Sequence, residues 1–187
     1  MVITYFGNGT FRLQSGETSL LVDPEGNRMK GDVVLHTSAT IKEGEVIDPD
    51  AIRFPGEYES HGIEIDGAAL SGKGEKLVTA YLVRMEDIRV GILGPTSEFP
   101  AAEALDVLDE PDILILPVQK GEYLSGEQAA KLAKQLEPAV VIPSYYKNAA
   151  EVQKAFEKKA EPQEKFVCKK KDLNSGKTEL VILSSER

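Results

Sequence analysis

Short apolar runs broken by turn formers dominate the first half of the chain. Residues 2–6 and 10–13 flank Asn8-Gly9, a pair that tolerates the positive φ angles of a tight hairpin, so two strands and a turn are predicted. Residues 19–22 predict a third strand, and 32–35 a fourth behind the turn-rich segment 24–31. Residues 62–65 and 68–70 flank Asp66-Gly67, which predicts a second hairpin turn. Residues 77–83 and 88–93 predict two more strands. The period then lengthens. Ala101, Ala104, Leu105 and Leu108 recur at helical spacing within 99–108, with Pro100 suited to a first turn. Residues 112–116 form a wholly apolar strand. Ala129, Leu132, Ala133 and Leu136 make the apolar stripe of a helix over 125–136, opened by a Ser125/Gln128 capping box and stopped before Pro138. Residues 139–142 are a further buried strand, so strand, helix and strand predict a right-handed βαβ unit. A third helix is predicted over 148–159, capped by Asn148. Residues 166–170 and 179–183 are expected to close the chain by pairing with each other. Each helical stripe is read as core packing.

Composition narrows the class. With 187 residues, 41% hydrophobic and 28% charged, one domain over 1–187 is expected. No basic segment with an apolar core opens the chain, and no apolar run nears the ~20 residues that span a bilayer. A cytoplasmic protein without a membrane partner is the expectation. Twenty-two basic against 31 acidic side chains leave a net charge of −9, which argues against nucleic acid as a partner. The charge is uneven: residues 147–187 carry 10 basic and 7 acidic side chains. Lys169-Lys170-Lys171 is read there as the solvated end of a strand. The one cysteine, Cys168, excludes an internal disulfide and is expected to be structural.

Ligand sites in sheets of this kind lie beyond the carboxyl ends of strands. Those ends carry His36-Thr37-Ser38-Ala39-Thr40, Gly94-Pro95-Thr96-Ser97, Pro117-Val118-Gln119-Lys120 and Pro143-Ser144-Tyr145-Tyr146. Hydroxyls are plentiful there and strong metal donors are few. The chain has two histidines, His36 and His61; with Glu57 or Glu59 they would make a two-histidine, one-carboxylate metal set. Neither Ser38 nor Ser144 stands in a nucleophile elbow. The glycine-containing turns at 7–9 and 71–74 lack phosphate-loop spacing.

Several segments, in order and spacing, carry a resemblance. They are 3–11 with its Gly7-Asn8-Gly9 turn, Leu21-Val22-Asp23-Pro24, 32–37, Phe54-Pro55-Gly56-Glu57-Tyr58-Glu59, Ile92-Leu93-Gly94-Pro95-Thr96, and the closing unit from Pro111 to Tyr146. Together they resemble the metallo-β-lactamase-fold hydrolases, in the compact branch that includes ascorbate-phosphate-lactonase-like proteins. The resemblance implies an α+β fold: a four-layer αββα sandwich of two mixed sheets flanked by helices. It places Ser38, Thr40, Lys42 and Glu43 at the positions of the family's His, His, Asp and His ligands. Asn8 then stands for the turn histidine, Pro95 for the bridging aspartate and Tyr145 for the last histidine, while Asp23 matches. Hydrolytic zinc needs three strong ligands and an open position, which hydroxyls and an ammonium do not supply. The expectation is a non-catalytic relative with no cofactor and a degenerate pocket of Asn8, Asp23, Ser38, Thr40, Lys42, Glu43, Pro95, Thr96 and Tyr145. It would serve as a binding or assembly module for a small polar ligand, a protein partner or a second copy. The alternative is a metal-dependent phosphoester or lactone hydrolase rebuilt around His36, Glu43, Glu57, Glu59 and His61.

Overall fold

Two mixed β-sheets face each other in the computed structural model, which describes residues 1–26, 28–40, 50–70, 76–173 and 176–185. The chain opens with β1 (Val2–Gly7), β2 (Thr10–Ser15), β3 (Thr18–Val22), β4 (Val33–Leu35), β5 (Ser38–Thr40) and β6 (Ala51–Ile52). Next come β7 (Gly56–Ser60), β8 (Ile63–Leu70), β9 (Lys76–Met85) and β10 (Ile88–Leu93). The second half alternates α1 (Ala102–Val107), β11 (Ile113–Pro117), α2 (Gly126–Leu136), β12 (Val140–Ser144) and α3 (Ala149–Ala155), then ends with β13 (Lys165–Val167) and β14 (Glu179–Leu180). The first sheet runs β13-β1-β2-β3-β4-β6; the second runs β14-β12-β11-β10-β9-β8-β7, with β5 also on β9.

Period-two alternation puts the apolar residues between the sheets. Ile3, Phe11, Leu13 and Leu20 of the first sheet meet Ile65, Tyr81, Val83, Ile115 and Ile142 of the second in one core. A second core lies on the far face of the second sheet, where Leu70, Val78, Leu93, Leu114 and Val141 receive Ala104, Leu108, Leu132 and Val152 from the helices. Strands buried on both faces are therefore wholly apolar, as β11 is. All three described α-helices pack on this side. No described helix is long and apolar enough to cross a membrane.

The strand–helix–strand unit forms as expected. Strands β11 and β12 are parallel, from Ile113↔Val140 to Pro117↔Ser144. Ser125 Oγ accepts from Gln128 N at 3.2 Å, Gln128 Oε1 accepts from Ser125 N at 2.9 Å, and Glu137 ends the helix in the left-handed region. Helices α1 and α3 are shorter than their predicted spans.

Three expectations are corrected. Asp66-Gly67 is not a turn: β8 runs through it, and the hairpin closes at His61-Gly62, both at positive φ (53° and 72°). Gly67 instead makes room for Tyr81, whose ring would lie 2.6 Å from a Cβ there. The last two strands do not pair with each other. β13 runs antiparallel to β1 and β14 parallel to β12, so the chain end closes both sheets. Lys170 and Lys171 lie in a 3₁₀ turn, Lys170–Leu173, where Asp172 accepts from Lys169 N at 2.8 Å. The 71–74 turn falls outside the described residues.

Candidate functional site

The chain passes from the first sheet to the second at Thr37, between β4 and β5, and Asp23 holds that crossing. Asp23 ends β3 in the left-handed region (φ 43°). Its backbone N donates to Leu35 O at 2.8 Å, and its carbonyl accepts from Thr10 Oγ1 at 2.6 Å. Its carboxylate accepts from Thr37 N at 2.8 Å and from the Thr37 hydroxyl. Thr37 O in turn accepts from Thr79 N on β9 at 2.9 Å. His36 Nδ1 lies 3.9 Å from Asp23 Oδ1. The Asp23 side chain is 17% exposed. Burial pushes its carboxyl pKa up to about 6, against the pull of the two Thr37 donors and of Lys76.

Tyr145, at the end of β12, closes the site from the other sheet. Its backbone is left-handed (φ 56°), uncommon for a bulky residue, and its N–H donates to Asn8 O at 2.9 Å. Asn8 O also accepts from the Tyr5 hydroxyl at 2.8 Å, and Asn8 Nδ2 donates to Glu25 Oε1 at 2.5 Å. In the hairpin Gly7 (φ 102°) and Asn8 (φ 50°) take the positive φ angles. Gly9 is required for a different reason: a Cβ there would lie 2.3 Å from the Tyr145 hydroxyl. The Tyr145 ring packs 4.6 Å from that of Tyr123. Burial first, then the neighbouring acids, push the Tyr145 phenol pKa up, so it stays protonated.

The remaining expected residues are placed as follows. Ser38 and Thr40 lie on β5 opposite Val78 and Lys76, the first half-buried and the second exposed. Pro95 and Thr96 follow β10, and the buried Thr96 hydroxyl is closed on its own turn, accepting from Glu98 N at 3.1 Å and donating to Glu98 O at 3.2 Å. Lys42 and Glu43 lie outside the described residues. His61 sits at the tip of the β7–β8 hairpin, with Nδ1 2.9 Å from Ser60 Oγ, and it acts electrostatically on Asp32 at the amino end of β4. His36 is at the carboxyl end of that strand. Glu57 and Glu59 are exposed along β7, opposite Asp66 and Glu64. The structure therefore brings together Asn8, Asp23, His36 and Tyr145 but not His36 with His61. The sequence reading missed Thr37, Glu25 and Tyr123; Thr37 is 14 positions from Asp23 and carries no pattern that marks it.

Hydrolytic zinc needs three nitrogen, sulfur or carboxylate ligands around an open position. Among the described residues no group of three or more His, Cys, Asp or Glu side chains is placed to hold a metal ion. Asp23 is bonded to Thr37 and Thr96 to its own turn, while Tyr145 is a neutral phenol. The described residues do not fit the ion.

Residues 2–145 match a family model described as the Beta-lactamase superfamily domain. A metallo-β-lactamase-superfamily protein from Thermotoga maritima, carrying a provisional Zn-dependent hydrolase name, superposes with a TM-score of 0.78 at 21% identity, covering 98% of this chain and 99% of that one. Igni18 of Ignicoccus hospitalis, described as a metallo hydrolase, gives 0.66 at 19% identity over 90% of this chain and 99% of its own. The metallo-β-lactamase fold protein YhfI of Bacillus subtilis gives 0.65 at 11% identity over 96% and 95%. Comparison with curated proteins gives no match. Identities this low establish the fold, and the family model covers well over half of the chain. The chain belongs to the beta-lactamase superfamily and has its metallo-β-lactamase fold.

Proposed function

We propose that this chain is a metal-free, non-catalytic member of the superfamily that works as a binding or assembly module. One observation carries the reading. Asp23 is the acid that the resemblance preserves at the strand ends, and its carboxylate is engaged by both Thr37 donors at the crossing between the sheets. A carboxylate ligand to zinc must be ionised; burial raises this group's pKa to about 6, so it ionises less readily than an ordinary aspartate, and both its oxygens already accept hydrogen bonds. Tyr145 adds support, since a neutral phenol stands where the resemblance puts the last histidine. Without a bound cation, water is not acidified towards pKa ~7 and no hydroxide nucleophile is available. What the strand ends offer is a set of hydrogen-bonding groups, Asn8, Ser38, Thr40 and Tyr145, beside the carboxyls of Asp23 and Glu25. That chemistry suits a small polar molecule.

Elemental analysis of the purified protein, paired with thermal shifts in Zn²⁺ and Mn²⁺, tests the reading. The expected result is metal well below one equivalent and no shift. An ion at 100 times its dissociation constant would add ~2.7 kcal/mol, a change easily seen. Stoichiometric metal together with chelator-sensitive phosphoester or lactone hydrolysis would overturn it.

A further inference from the structure

We propose that copies of this chain associate edge to edge, with β13 of one copy pairing with β7 of the next. Both strands end their sheets. In the β1–β13 ladder Met1 and Cys168 exchange both hydrogen bonds, Met1 N to Cys168 O at 2.7 Å and Cys168 N to Met1 O at 3.0 Å. Antiparallel pairs alternate, so Val167 and Lys165 point their backbone groups away from β1. Val167 is also the exposed large hydrophobic among the described residues, at 62%. An edge with free backbone groups and an uncovered apolar side chain invites an added strand.

Strand β7 supplies the complementary edge. Glu57 lies directly opposite Asp66 and Glu59 directly opposite Glu64, two acid–acid pairs in succession. Like charges opposed across a ladder are unfavourable. Arg84 answers the β8 side, at 2.5 Å from Asp66 and 3.8 Å from Glu64. Among the described residues no cation pairs with Glu57 or Glu59. Placing Phe166 beside Tyr58 keeps both rings on the core side, since each already packs against the intersheet core. With the two strands antiparallel, Lys165 then lies opposite Glu59 and Val167 opposite Glu57 on the other face, and one ammonium meets one carboxylate. Pairing β7 with another β7 would oppose glutamates, and pairing β13 with another β13 would leave those carboxylates unanswered. The occupant is therefore a second copy in a head-to-tail contact, which repeats into a ring or an open chain.

The inference rests on the assembly half of the proposed function. Sedimentation velocity from micromolar to hundreds of micromolar protein tests it. Wild-type protein is expected to associate with rising concentration. Glu57→Lys with Glu59→Lys is expected to weaken association about fivefold or more, as is Lys165→Glu, and the combined charge swap to restore it. Val167→Asp, with its fold verified by circular dichroism, should weaken it too. A wild-type monomer at every concentration overturns the inference. So does association that the charge variants leave unchanged, including a closed dimer held by β13 alone. A monomer leaves the metal-free reading intact, because metal content decides that separately.

Discussion

Two half-buried aspartates mark opposite ends of the strands, and they are held by different chemistry. Asp23 sits where β3 finishes, at the end occupied by Asn8, His36 and Tyr145. Its hydrogen-bond donors are an amide and a hydroxyl of one residue, Thr37. Asp112 sits just before β11. It accepts from Arg89 N at 2.8 Å and takes Lys170 Nζ on both oxygens at 2.7 Å. There a charge is answered by a charge, and the contact pins the 3₁₀ turn near the chain end to the second sheet. At the other end burial outweighs the Thr37 dipoles and the weaker pull of Lys76, and the carboxyl pKa rises instead. Lys170 and Asp112 thus form a structural clamp at the end opposite Asp23.

Removing the clamp should cost most. Asp112 is 13% exposed, so Lys170→Met leaves a nearly buried carboxylate with one backbone donor. Breaking one partner of such a pair is expensive, although Lys170 at 43% exposure moderates it, and a loss of about 3 kcal/mol is expected in urea unfolding. A loss below about 1 kcal/mol would show that the pair behaves like an exposed salt bridge and would remove the contrast.

Asp23→Asn should act in the opposite direction and depend on pH. The folded-state carboxyl titrates at about 6 against an unfolded value near 4, so the native state binds the proton more tightly. The group's contribution is greatest below pH 4 and is lost as pH rises through 6. Asparagine stays neutral and can still accept from Thr37 N. The variant is therefore expected to be more stable than wild type by about 2 kcal/mol at pH 8, with the difference vanishing near pH 4. Paired denaturation curves at the two pH values check this. A variant that is destabilised at pH 8 would mean that Thr37 needs the ionised group.

Much of this architecture can be read from residues alone, and the exceptions share a cause. Alternation exposed the strands around Ile3, Leu13 and Leu20, and Ser125 with Gln128 marked the start of α2. Asp66-Gly67 misled because its composition fits a turn, while Gly67 answers to Tyr81, a contact set by packing across strands. Residues 166–170 and 179–183 read as a pair because no local pattern names a strand's partner; the strands formed there, β13 and β14, pair with β1 and β12. The same limit applies at the site. Asn8, Asp23 and Tyr145 were legible through the order of the motifs, but the bond from Asp23 to Thr37 and the separation of His36 from His61 are products of the fold.

The smallest expected effect isolates the neutral packing at the site end. Gly9→Ala keeps the backbone allowed, because the positive φ angles belong to Gly7 and Asn8, but the added methyl would meet the Tyr145 ring. Overpacking of this kind costs about 1 kcal/mol where a neighbour can shift, and Tyr145 is the end of a side chain facing a turn. Shortening it by Tyr145→Ser in the same protein should recover most of that loss, leaving a coupling between the two positions that neither pH nor salt changes. Charge-held contacts such as Lys170–Asp112 weaken as salt is added, whereas a steric one does not. A Gly9–Tyr145 coupling that shifts between pH 4 and pH 8 would tie the tyrosine to the ionisation of Asp23, and the contact could no longer be described as purely steric.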